Sequence, residues 1–94
     1  MKYGMTKERV KIQFTDCLKR IERTAKQKGL RVAMKELSLL KVNLKAWCDD
    51  YQVNAECYFN EIENLSAISK NILVKKISFI VNEINTNNSK YMLQ

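Results

Sequence analysis

Apolar residues recur along this chain at steps of three and four, the period of helices buried along one side. Val10, Phe14, Cys17, Leu18, Ile21 and Ala25 fall within one stripe when successive residues are turned by roughly 100°. This predicts a helix from about Lys7 to Lys28, with Thr6 as N-cap, Glu8 in the first turn and Gly29 as the stop. The next segment, about Leu30 to Tyr51, repeats Leu30, Ala33, Leu37, Leu40, Leu44, Trp47 and Tyr51 at the same alternating steps. It also carries a second apolar group, Val32, Leu39, Val42 and Ala46, on another side. A helix apolar on two sides is central in a bundle, interfacial in an oligomer, or not one helix, and the pattern leaves these three open.

Asp49 and Asp50 fall near the end of that segment, and Asn54 is suited to cap a third helix. This third helix would bury Tyr58, Phe59, Ile62 and Leu65 and hold Glu56, Glu61 and Glu63 mostly outside. Beyond it, Ile72, Leu73, Val74, Ile77, Phe79, Ile80 and Val81 are rich in strand formers. The spacing Leu73, Ile77, Ile80, Ile84 nevertheless favours a helix from about Ser66 to Ile84, because a lone strand would have no partner. The segment 86–94 is expected to be disordered. The chain has no proline and only two glycines, Gly4 and Gly29, which agrees with helices joined by short polar turns. The expected architecture is an all-α single domain spanning residues 1–94, a small three- to four-helix bundle.

Charge adds a polarity that the hydrophobic pattern does not. Residues 1–47 hold thirteen Lys/Arg against four acids, a net of +9, whereas residues 48–94 hold four against six, a net of −2. The back of the first predicted helix gathers Arg9, Lys19, Arg20, Arg23 and Lys26, and Lys35, Lys41 and Lys45 follow on the next segment. A field of this sign attracts nucleic acid irrespective of sequence, or an acidic protein surface. A membrane surface fits less well, since the apolar stripe is needed for the core. No apolar run approaches the ~20 residues of a membrane span, and the residues after Met1 lack the apolar core of a signal peptide, so the expected location is the cytoplasm or a host-cell interior.

The chain has no histidine, which removes the usual general base at neutral pH. It also lacks a glycine-rich phosphate loop and a nucleophile elbow, so an enzyme with a small-molecule substrate is not expected. Cys17, Cys48 and Cys57 are odd in number, without CxxC spacing, and read as reduced, small apolar residues rather than metal ligands. No metal or cofactor is expected. Trp47, Tyr51, Tyr58 and Phe59 have the residue type for base stacking, but their helical spacing favours the core.

Within the second segment, residues 33–47 (AMKELSLLKVNLKAW) resemble the helix-turn-helix of small phage repressors of the Cro type. That family has a small residue where Ala33 stands, an apolar one at Leu37, a turn at Ser38–Leu40 and an inward apolar residue at Leu44 of the helix that enters the major groove. By position, the resemblance implies that Lys41, Val42, Asn43, Lys45 and Ala46 face the groove or phosphates, with Asn43 suited to adenine and Lys41 or Lys45 to guanine or phosphate. Ser38 stands where the family usually has glycine, and an uninterrupted helix explains the same stripe. The leading expectation is a small regulatory protein docking on nucleic acid through Arg9, Lys19, Arg20, Arg23, Lys26, Lys35, Lys41, Asn43 and Lys45. The alternative is a helical adaptor, chaperone or inhibitor that binds another protein through Val32, Leu39, Val42 and Ala46, or a homodimer through the same face.

Overall fold

The computed structural model describes residues 7–66, 68–86 and 91, apart from the side chain of Tyr51. It is all-α, with α1 (Lys7–Lys28), α2 (Leu30–Tyr51), α3 (Glu56–Leu65) and α4 (Lys70–Asn85). No strand occurs among the described residues, so the strand-forming run 72–81 is helical. Thr6, expected to cap α1, lies outside the described residues.

Gly29 alone separates α1 from α2. Its φ of 97° and ψ of 170° suit glycine, and an added Cβ would meet nothing within 4 Å, so backbone conformation rather than crowding selects the residue. The chain reverses there, and α2 lies back along α1. At the far end of α2, Gln52 takes the left-handed conformation (φ 53°, ψ 47°) and donates its N–H to the Cys48 carbonyl. The N-cap position of α3 is Ala55, while the carboxamide oxygen of Asn54, one residue earlier, accepts the Glu56 N–H at 3.1 Å. α4 begins at Lys70, later than the hydrophobic pattern predicts, with extended Ser69 as its N-cap.

The stripes converge on one core. Val10, Phe14, Leu18, Ile21 and Ala25 of α1 are buried, as are Ala33, Leu37, Leu40 and Leu44 of α2. Ile62 and Leu65 of α3 and Leu73, Ile77, Ile80 and Ile84 of α4 close it. α1 packs against both α2 and α4, which leaves only its outer side for solvent. At the centre, the rings of Phe14 and Tyr58 stack with centroids 4.2 Å apart and 4° between planes. Of the segment 86–94, residues 87–90 and 92–94 lie outside the described residues. Tyr91 is buried against Tyr58, its ring centroid 6.1 Å away.

Two positions of α3 differ from the sequence expectation. Glu61, placed outside by its charge, is only 8% exposed. Phe59 is half-buried and packs on the edge of the core rather than within it.

Candidate nucleic-acid interface

The buried stripe of α1 fixes where its cations go. With Val10, Phe14, Leu18 and Ile21 turned inward, helical geometry turns Arg9, Lys19, Arg20, Arg23 and Lys26 outward, and all five are exposed. Glu8 lies in the first turn, Lys26 and Lys28 in the last, a distribution that complements the helix dipole. Lys26 approaches Glu22 at 3.5 Å, and Lys11 approaches Glu8 at 3.9 Å. None of the described ion pairs involves Lys19, Arg20 or Arg23. Their charges face solvent, with the exposed carboxylate of Asp16 on the same helix and Glu36 across the groove beside Arg20. Ile12, which the sequence reading did not single out, lies in the same strip and is 52% exposed.

The cations on α2 divide. Lys35 lies toward the solvent side that also carries Leu39 and Val42, while Lys41 and Lys45 lie toward the opposite flank. Lys41 is bonded to Glu63 of α3. Of the nine positions expected to act together, five form a strip on α1 and Asn43 lines the groove beside Arg20, whereas Lys35 lies on the solvent side of α2 and Lys41 and Lys45 on a separate flank. Asn43 is exposed beside a groove between α1 and α2 lined by Cys17, Arg20, Ile21, Glu36 and Leu39.

The turn implied at Ser38–Leu40 by the helix-turn-helix resemblance is not formed. α2 runs unbroken from Leu30 to Tyr51, and the Ser38 hydroxyl donates to the Met34 carbonyl one turn earlier at 3.2 Å. The continuous helix carries Ala33, Leu37, Leu40 and Leu44 to one core along a single stripe. In this geometry Lys41, Asn43 and Lys45 are not presented on a separate recognition helix. The second apolar group behaves differently. Val32 is half-buried, Ala46 is exposed, and Leu39 and Val42 are 62% and 66% exposed.

Beneath the groove, the Thr24 hydroxyl donates to Glu36 Oε1 at 2.8 Å, tying α1 to α2 by a polar contact that periodicity does not reveal. On the far side, the Ser78 hydroxyl donates to Glu22 Oε2 at 2.9 Å and ties α1 to α4. Burial pushes the Cys17 thiol above its ordinary pKa, against the nearby Arg20 charge. Burial likewise raises Cys48, with Asp49 adding to it. Both thiols are thereby poor nucleophiles at neutral pH. Among the described residues no three His, Cys, Asp or Glu side chains gather where a metal ion could sit, and no helix is long and apolar enough to cross a membrane. No protein-family model, curated protein or solved structure matches the chain.

Proposed function

We propose that this chain is a small non-enzymatic, regulatory binding protein that docks on nucleic acid through the outer face of α1. The observation that carries this reading is the exposure of Arg9, Lys19, Arg20, Arg23 and Lys26 along one helix face, with Lys19, Arg20 and Arg23 in none of the described ion pairs. From Arg9 to Lys26 the helix rises roughly 25 Å, the length of about seven base pairs, so the strip spans several phosphates at once. The mechanism is neutralisation of phosphate charge with release of counterions, which holds the ligand without reading its sequence. Asn43 lines the groove beside Arg20 at the edge of the strip; Lys35, Lys41 and Lys45 lie on other sides of α2 and are peripheral to it. Arg20→Glu/Arg23→Glu is expected to abolish retention of a duplex or single-stranded oligonucleotide at ~50 mM salt, and absence of retention by the unaltered protein would overturn the reading.

A second reading is favoured by the exposure of Leu39 and Val42, which the core does not require. On this reading α2 binds a protein through Val32, Leu39, Val42 and Ala46, and Leu39→Glu removes the partner while leaving the helical content unchanged.

A further inference from the structure

The exposed side of α2 has an order of its own. Val32, Lys35, Leu39, Val42, Ala46 and Asp49 succeed one another at steps of three and four, the spacing of a helix–helix seam. The helix is unbroken, and its first apolar side is already buried in the core. Because the second side faces solvent, α2 is not central in the bundle either. Of the three explanations for a helix apolar on two sides, an interface is the one left.

The charges on and beside this seam indicate what covers it. They are polarised lengthwise, with Arg31 and Lys35 at the N-terminal end and Asp49 and Asp50 at the C-terminal end. All four are exposed, and none belongs to a described ion pair. Arg31 in the first turn and Asp49 and Asp50 in the last also stand at helix ends whose dipole has the same sign, an arrangement that costs the isolated helix stability. A partner helix of the same polarity, laid antiparallel, compensates both ends together. A uniformly acidic partner would relieve Arg31 and Lys35 but repel Asp49 and Asp50.

We propose that two copies of this chain pair through α2, antiparallel about a two-fold axis between Leu39 and Val42. This inference rests on the α2 patch of the second reading and is independent of the basic face of α1. In the pair, Leu39 of each copy lies opposite Val42 of the other, since an antiparallel two-fold exchanges positions equally spaced from its axis. The same operation brings Arg31 and Lys35 of one copy to the end that carries Asp49 and Asp50 of the other. A parallel pair would instead set Arg31 and Lys35 against their own counterparts.

The contact is one helix face per copy, at the small end of specific interfaces, so association is expected to be weak and to depend on protein concentration. Sedimentation equilibrium of the full chain with reductant, over about two decades of concentration reaching the hundreds of micromolar, suits a weak pair. The unaltered protein is expected to shift from monomer to dimer. Leu39→Glu/Val42→Glu is expected to stay monomeric with unchanged helical circular dichroism. Arg31→Glu/Lys35→Glu and Asp49→Lys/Asp50→Lys are each expected to be monomeric alone and to form a dimer when mixed, because only the mixed pair restores opposite charges at both ends. A monomer throughout the range, or loss of helical signal in Leu39→Glu/Val42→Glu, or a mixture that stays monomeric, would each overturn the proposal. None of these outcomes depends on oligonucleotide binding, so failure here and failure of the nucleic-acid reading are separable.

Discussion

α1 and α4 solve the same packing problem with different exteriors. Each buries one apolar stripe in the shared core, Val10, Phe14, Leu18 and Ile21 on α1 and Leu73, Ile77, Ile80 and Ile84 on α4. Outward, α4 shows Ile72, Lys75, Lys76 and Phe79, a mixed surface with two exposed apolar side chains. α1 shows five cations. Since the inward stripes are equivalent, the core does not dictate the outward charge. The concentration on α1 also carries a cost, because Lys19 and Arg23, and Arg20 and Arg23, are like charges three or four residues apart on one helix. A surface that costs stability and serves no packing role is where a binding function is expected.

The comparison fails first if the two stripes are not equally essential. Phe14→Ala and Ile77→Ala both remove fully buried side chains, and each is expected to destabilise by about 2–5 kcal/mol in thermal or urea unfolding followed by circular dichroism. An Ile77→Ala protein as stable as the original would show that α4 is not part of the same core. The next effect concerns the polar tie beneath the basic face. Thr24→Val leaves Glu36 without its buried donor and is expected to cost about 1–3 kcal/mol, whereas Ser78→Ala, on the exposed α1–α4 contact, is expected to cost less than about 1 kcal/mol.

Alkali should expose the core through Tyr58. Burial raises its phenol pKa, so the neutral form is favoured by folding. The stability this contributes is present below the unfolded tyrosine value of about 10 and is lost as pH rises beyond it. Stability should therefore fall above about pH 10, and Tyr58→Phe should flatten that fall. An unchanged alkaline profile in Tyr58→Phe would mean that this phenol is not held neutral by the core. The smallest effects are on the surface. Lys19→Gln/Arg23→Gln is expected to raise stability by a few tenths of a kcal/mol while weakening oligonucleotide binding. Lys41→Gln, which removes an exposed ion pair with Glu63, is expected to change stability by less than about 1 kcal/mol.

The helical period made much of this legible. The limits of α1 and α2 follow from their stripes and from Gly29, and the α4 spacing outweighs its strand-forming composition. The start of α4 and the burial of Glu61 were not legible, because both depend on the tertiary placement of the short α3 and the connection after it, which leave no periodic signal. The basic face of α1 follows from its own periodicity, since whatever lies opposite a buried stripe is exposed. The division of the α2 cations does not, because it requires knowing that α3 lies beside Lys41. Likewise the resemblance over residues 33–47 concerns local residue types, while the continuity of α2 is decided by four leucine and alanine positions meeting one core. The Thr24–Glu36 bond joins residues on two helices and leaves no periodic signal.

The central claim is that α1 presents a phosphate-binding strip, and the salt dependence of oligonucleotide binding tests it most directly. Fluorescence anisotropy with a short duplex at about 50 to 200 mM salt should give a logarithmic slope of roughly −3 to −4, matching four or so phosphate contacts, and Arg20→Glu/Arg23→Glu should leave no measurable binding. Binding with a slope near zero, or binding retained by Arg20→Glu/Arg23→Glu, would contradict the claim.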